Sequence, residues 1–278
     1  MKKMAPLVTL LFAAVFATAQ PDTPLETWTG KTIMHVGAHP DDDTYSQGTL
    51  AMLQDHGNEV WVVILTDGAV GTQDPDLTRF ELSQIRRQEE IAALAELGIP
   101  ADHYINLGYV DGMIEFADRK EVVKQLVRLI RKIRPDLLLA FDPGKGGQRW
   151  HKSDHRAAAY LTADAARVAM WRLLFPEQII HEGLEAHMVP QYLFYDGAEE
   201  NKNCWVDIGE YAEKKINAMT KYVSQFHRPS WQKYKGPILS QEELAELRER
   251  VSSRIDHRDG KPVEGFRYYR GFPDGIGR

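Results

Sequence analysis

Thr32-Ile33-Met34-His35-Val36-Gly37-Ala38-His39-Pro40-Asp41-Asp42-Asp43 is the stretch that decides the fold. Its first half is a short apolar run, and Lys31 to Val36 is expected to be a strand. Its second half sets one imidazole and three carboxylates immediately before a helical pattern that opens at Thr44. Further along, the apolar run Leu137-Leu138-Leu139-Ala140-Phe141 is followed by His151-Lys152-Ser153-Asp154-His155, again where a strand gives way to a helix. Open α/β sheets hold their ligands beyond the carboxyl ends of the strands, so the two segments are expected to face one another.

Strand and helix patterns alternate around these two anchors. Strands are expected at Glu59 to Leu65, Tyr104 to Leu107, Leu137 to Phe141, Gln191 to Tyr195 and Trp205 to Ile208. Helices are expected at Thr44 to His56, Thr78 to Leu97, Lys120 to Ile133, Ser153 to Leu174, Glu210 to Phe226 and near Gln241 to Arg254. Gly98 and Pro135 supply stops, and Ser153 or Asp154 is placed to cap its helix. Runs such as Val-Trp-Val-Val-Ile-Leu at 60–65 suit strands covered on both faces. The expected fold is therefore α/β, a doubly wound, mostly parallel Rossmann-like sheet with helices on both faces.

The 278 residues suffice for one such domain with a sizeable core. Hydrophobic content of 43% and charged content of 27% are ordinary for a globular chain, and the net charge of -6 comes without any basic run, which argues against a nucleic-acid partner. The N-terminus reads as a separate element. Lys2 and Lys3 precede an apolar stretch from Met4 to Ala17, and Ala17-Thr18-Ala19 is a small-x-small site. That is the pattern of a secretory signal over 1–19, too short for a membrane span. Export to the periplasm or exterior is expected, with one domain over 20–278 in which 228–278 is a C-terminal extension. Loss of the leader removes two lysines and no acid and takes the net charge from -6 to -8. Cys204 is the one cysteine, so no internal disulfide is available and a small buried apolar role is expected.

A catalytic zinc site keeps three protein ligands and leaves one position open. His39, Asp42 and His155 supply such a set, and Asp41 remains as a carboxylate beside it, suited to take a proton from water. Taken alone, an acidic triplet is more often a solvated helix start, and a His-x-x-x-His pair is more often surface. It is their shared position at strand ends that favours a site.

The segment Ala38-His39-Pro40-Asp41-Asp42 resembles the Ala-His-Pro-Asp-Asp signature of the LmbE/PIG-L family of zinc-dependent N-acetylglucosaminyl deacetylases. Leu65-Thr66-Asp67-Gly68, Arg86 with Glu89, Leu107-Gly108-Tyr109-Val110-Asp111-Gly112, Asp154-His155-Arg156-Ala157, Val206-Asp207-Ile208 and Ser224-Gln225 are similar to further motifs of that family, and Glu264-Gly265-Phe266-Arg267 to a short tail motif. The resemblance implies His39, Asp42 and His155 as metal ligands, with Zn2+ as the metal and Fe2+ compatible with the same groups. It implies Asp41 as general base and Asp154 as the residue that orients a neighbouring acid or imidazole. It gives Arg86 and Glu89 a structural ion pair, and Asp111 either a substrate hydroxyl or a turn. The implied partner is a small N-acetylated sugar or glycoconjugate, with no nucleic acid and no stable membrane span after signal cleavage.

Two positions depart from the family pattern. Lys152 stands where many members carry an imidazole that serves the oxyanion or the leaving amine, and His151 lies one residue earlier; His151 is taken as the acid, with a Lys152 cation as the other solution. Asp43 stands where Glu is common. Trp150, beside His151, is the best placed aromatic for a sugar cleft. The competing readings are a non-catalytic carbohydrate-binding protein that retains the fold, which the Lys152 departure motivates, and a magnesium phosphohydrolase on the acidic triplet, which has little use for two imidazoles. The chain has no Gly-x-Gly-x-x-Gly after its first strand and no Gly-x-Ser-x-Gly, which argues against dinucleotide and serine-hydrolase chemistry. No chemistry is legible beyond Arg228.

Overall fold

The structure is a computed structural model that describes residue 21 and residues 23–145 and 152–277. The leader over 1–19, Trp150 and His151 lie outside the described residues. Strands β1 (Thr32–Gly37), β2 (Glu59–Thr66), β3 (Tyr104–Tyr109), β4 (Leu137–Phe141), β5 (Gln191–Tyr195), β6 (Cys204–Asp207), β7 (Asp256–Arg258) and β8 (Lys261–Arg270) alternate with helices. The helices are α1 (Gln47–Asp55), α2 (Arg79–Glu96), α3 (Arg119–Ile133), α4 (Ser153–Ala169), α5 (Pro176–Ile180), α6 (Ala212–Met219), α7 (Val223–Phe226), α8 (Arg228–Gln232) and α9 (Gln241–Ser252). Among the described residues no helix is long and apolar enough to cross a membrane.

The sheet runs β3-β2-β1-β4-β5-β8-β6, with β7 paired to β8. β1 pairs in parallel with both β2 and β4, β2 with β3 and β4 with β5, while β8 runs antiparallel to β5, β6 and β7. The core is apolar where the sequence is continuously apolar: all five residues of β4 are buried, as are Val62, Val63, Ile64 and Leu65 of β2. α3 packs along α4, and α2 along α6, so helices flank the mostly parallel sheet as expected. The chain leaves β1 toward β2 on one side and returns through β3 and α3 to β4 on the other. The order therefore reverses between β1 and β4, which opens a crevice at their carboxyl ends.

Several boundaries moved for identifiable reasons. The helix expected from Thr44 begins as a 3-10 turn over Asp42–Tyr45 and becomes α-helical only at Gln47. The helix expected over Glu210 to Phe226 is broken into α6 and α7, with Tyr222 between them at non-helical φ and ψ. α4 starts without a side-chain cap: Ser153 makes no capping bond, and Asp154 is turned to other partners described below. Cys204 is buried as expected, and burial pushes its thiol up to about 12. His35 behaves as a core aromatic. It is wholly buried and stacked on Tyr195 at 5.0 Å, and burial pushes its imidazole down to about 3.

The stretch from Arg228 onward supplies two strands of the sheet, β7 and β8. β8 lies between β5 and β6, where its two inward charges find built-in partners. Arg267 donates to Asp142, just after β4, through Nε at 3.1 Å and Nη2 at 2.6 Å. Glu264 accepts from Gly48 N, Thr49 N and Thr49 Oγ1 at the start of α1 and from Lys215 Nζ at 2.7 Å. Gly265 between them is required by space, because a Cβ there would lie 2.5 Å from the Trp205 ring.

Both members of the Arg267–Asp142 pair are buried, so removing one leaves an uncompensated charge. Arg267→Ala is expected to cost about 3–5 kcal/mol, read as a lower urea midpoint at unchanged slope. Glu89 of α2 accepts from Ser224 N and Oγ at 2.7 and 2.6 Å, and burial pushes its carboxyl up to about 7 despite those bonds. The folded protein then holds a proton there that the unfolded chain releases near 4.5, so this group costs stability as pH rises from about 4.5 to about 7. Glu89→Gln is expected to flatten that part of a stability–pH profile.

Candidate metal centre and its cleft

β1 ends in a tight bend built on one carboxylate. Ala38 N and His39 N both donate to Asp42 Oδ2, at 2.8 and 2.7 Å, and Asp42 N returns to His39 O. Gly37 makes the bend possible: a Cβ there would sit 2.8 Å from Ile64 Cδ1 and 2.9 Å from Asp42 Cβ. Thr66 at the end of β2 clamps the bend from the side, donating through N and Oγ1 to Ala38 O. Asp41 sits at the crest with φ of 115°, a region that L residues rarely occupy and that functional sites tend to retain.

The bend and the start of α4 bring His39, Asp42 and His155 together, with one ligand atom of each within 4.8 Å of the others. His39 Nδ1 lies 3.4 Å from Asp42 Oδ2, and His155 Nε2 lies 3.4 Å from Asp42 Oδ1. His155 packs its ring on Phe141 at 4.1 Å, and its Nε2 is buried with no hydrogen-bond partner among the described residues. An inward nitrogen left without a partner is costly unless something else coordinates it. Two imidazole nitrogens and a carboxylate around that point fit a divalent cation such as zinc or ferrous iron.

The other nitrogen of His39 is held by acids. Nε2 lies 3.1 Å from Asp111 Oδ1 and 3.3 Å from Asp154 Oδ2. Burial opposes a charged His39, but the bonds to Asp111, Asp154 and Asp42 outweigh it and raise the imidazole well above its ordinary value. Those carboxylates fix the proton on Nε2 and aim Nδ1 at the ligand position, the usual arrangement behind a metal-binding histidine. His39, Asp111 and Asp154 also satisfy metal spacing as a trio, but both acids are already engaged. Asp154 accepts from Gly112 N and Ile114 N, and Asp111 accepts from Val70 N. Burial works against the Asp111 anion, yet the bond and charge of His39 bring its carboxyl below the usual range. Burial likewise opposes Asp42, and the two histidines overcome it.

Asp41 points into the same cleft. Its Oδ1 lies 3.1 Å from Arg86 Nη2, while Arg86 Nη1 donates to Gly68 O at 2.9 Å and Nη2 also donates to Pro40 O. The ion pair expected between Arg86 and Glu89 is therefore not formed: Glu89 is taken by Ser224, and the guanidinium reaches across to β1 instead. Burial raises the Asp41 carboxyl, with Arg86 opposing the shift. Asp43 faces the other way, accepting from Gln47 Nε2 and Tyr222 Oη, both at 2.8 Å. Asp111, read as a substrate-hydroxyl or turn residue, does sit in a turn, where Met113 N donates to Val110 O and Gly112 has a φ of 81°, and its side chain supports His39.

These groups line a cleft of about 650 Å³, a size suited to a small ligand. Lys152 borders it at the start of α4. Tyr45, stacked on Tyr195 at 5.4 Å and 41% exposed, offers an aromatic face there. The tail contributes Arg254, Asp256 and Glu264 to the same cleft. Sequence reading passed over Tyr45, whose place directly after the acidic triplet is its signal, and over Arg254, which carries no local signal.

Comparison with known proteins agrees with this geometry. The sequence profile of the family described as PIG-L, GlcNAc-PI de-N-acetylase, matches residues 34–166. The chain is 32% identical over 203 residues to a diacetylchitobiose deacetylase of Thermococcus kodakarensis, covering 73% of each chain. It is 33% identical over 164 residues to a 1D-myo-inositol 2-acetamido-2-deoxy-alpha-D-glucopyranoside deacetylase of Nocardioides sp., covering 48% of this chain and 54% of that one. Among solved structures it is similar to an N,N'-diacetylchitobiose deacetylase from Pyrococcus horikoshii, with a TM-score of 0.69, 28% identity, and coverage of 86% of this chain and 84% of that one.

If Asp111 acts through His39, Asp111→Asn should weaken metal binding about 10- to 100-fold without unfolding the chain. Competition with a chelator of known affinity, monitored beside the circular dichroism spectrum, reads both.

Proposed function

The chain belongs to the PIG-L family of de-N-acetylases, and from that premise we propose that it is a zinc-dependent N-deacetylase that removes the acetyl group from an N-acetylated sugar or sugar conjugate. The observation that carries the reading is the convergence of His39, Asp42 and His155 around the partnerless Nε2, with Asp41 beside them. His39, Asp42 and His155 would hold a divalent cation, which would supply Lewis acidity toward a carbonyl oxygen and water; Zn2+ is the proposed metal, and Fe2+ suits the same donors.

The protein's own residues account for the rest. Asp41 accepts a proton from the attacking water as its oxygen bonds to the acetamide carbon. Arg86 occupies Oδ1 of Asp41, which leaves Oδ2 for that proton, and its grip on Pro40 O and Gly68 O keeps the carboxylate aimed. Asp154 and Asp111 hold His39 in the tautomer that ligation needs. The carbon–nitrogen bond breaks, the nitrogen takes a proton to leave as a free amine, and acetate remains. We assign that proton to His151 and the stabilisation of the oxyanion to Lys152, which borders the cleft. A binding-only role is less well supported, because Asp41 is held in a strained conformation with its own guanidinium partner, an arrangement that binding alone does not need. We further propose that the protein works after export, in the periplasm or outside the cell, as the leader-like pattern at 1–19 suggests.

Acetate release from N-acetylated sugars by metal-loaded protein tests the reading. Asp41→Asn is expected to retain metal while kcat falls about 10²- to 10⁴-fold, and His39→Ala to lose both metal and activity. Full activity in Asp41→Asn would remove the carboxylate from the mechanism.

A further inference from the structure

The wall of the cleft formed by the C-terminal segment carries a cation that forms no ion pair among the described residues. Arg254, just past α9, borders the cleft and holds its guanidinium over the Phe226 ring at 4.6 Å. Most buried or cleft-facing cations here are matched: Arg86 with Asp41, Lys202 with Glu199, Lys215 with Glu264, Arg267 with Asp142. Among the described residues Arg254 makes no ion pair, even though Asp256 two residues on borders the same cleft. Arg228 and Arg250 are close enough for their charges to be felt, since burial and then the positive charges of Arg228 and Arg254 lower the Arg250 guanidinium. Arg250 Nε is buried with no hydrogen-bond partner, and neither it nor Arg228 has an ion-pair partner among the described residues.

None of the three forms an ion pair among the described residues, and their positive charge favours an anion arriving at this wall of the cleft, which Asp256 also borders. Stacking on Phe226 also holds the Arg254 fork before any ligand binds, which reduces the entropy lost on binding. Tyr45 completes the arrangement. It offers an exposed ring on the same cleft, held in place by stacking on Tyr195 at 5.4 Å. A sugar on that ring would present its acetamide to the ligand set and its other substituent to the arginine.

We propose that Arg254 binds an oxyanion, a carboxylate or a phosphate, on the group attached to the N-acetylated sugar, so that the preferred substrate is an anionic sugar conjugate and not a neutral saccharide. This rests on the deacetylase reading for the reacting end of the substrate. The probes are 4-carboxyphenyl, 4-phosphonophenyl and uncharged 4-carbamoylphenyl N-acetyl-D-glucosaminides, in both anomers. Calorimetry on the metal-loaded full chain in an Asp41→Asn background reads affinity without turnover. One or both anionic probes should bind about tenfold more tightly than the carbamoyl probe, the tighter of the two naming the oxyanion. The preference should collapse in Arg254→Met, which keeps the stem over Phe226, and return in part in Arg254→Lys. Equal affinity for all three probes, or a preference that survives in Arg254→Met, would overturn the subsite. Acetate release is measured separately with Asp41 intact. Charge-selective binding with no acetate from any probe would leave the subsite standing and overturn the deacetylase reading.

Discussion

Two backbone N–H groups at the end of β1 point at one side-chain oxygen of Asp42, and the site is organised by that contact. A strand that leaves a parallel sheet has unpaired donors at its tip, and these must be satisfied when they are buried. Here the satisfying group is itself a candidate metal ligand. The same bend that closes the donors turns His39 inward, lifts Asp41 to its strained crest and starts the 3-10 turn that carries Tyr45 to the cleft. Gly37 and Thr66 are needed because there is no room for a Cβ on one side and no other donor pair for Ala38 O on the other.

Around that bend, charge is handled by pairing at successive distances from the ligand position. Asp111 and Asp154 hold His39; their other oxygens are met by Val70 N and Ile114 N, and Gly112 N donates to the Asp154 oxygen that faces His39. Arg86 holds Asp41. Behind the triplet, Tyr222 Oη lies 2.8 Å from Asp43 and 3.0 Å from Glu90. Burial pushes Asp43 up to about 7 and Glu90 upward as well, so this pocket of acids keeps part of its proton complement near neutrality. Stored negative charge therefore stays low on the side of the bend away from the cleft.

The C-terminal strand ties the architecture together. β8 inserts between β5 and β6, and its Glu264 accepts from the buried backbone donors at the start of α1, the helix that follows the bend. Arg267 on the same strand reaches Asp142, which follows the Phe141 that the His155 ring packs on. One strand thus braces both halves of the site, and the tail that surrounds it adds Arg254 and Asp256 to the cleft.

The sequence by itself determined the mostly parallel α/β architecture, because continuous apolar runs between amphipathic stretches leave few other ways to bury them. It singled out the candidate ligand residues too, because ligation needs particular atoms and His39, Asp42 and His155 stand near strand ends, where the fold brings one such atom of each together. Strand β5 was legible to the residue for the same reason: a short apolar run has one way to be buried. Tertiary structure alone decided who serves whom. Arg86 sits three residues from Glu89 on one helix, yet it pairs with Asp41, since a guanidinium long enough to span two elements is placed by their packing and not by its own helix. Asp111, from the turn after β3, and Asp154, from the first turn of α4, meet at His39 from places far apart in the chain. β8, with Pro262 and Gly265 in it and charges at Glu264 and Arg267, looks like a poor strand, because its partners on β5, β6, α1 and β4 are all remote. Local periodicity records what a segment must bury; it holds no record of the distant groups that make burying a charge possible.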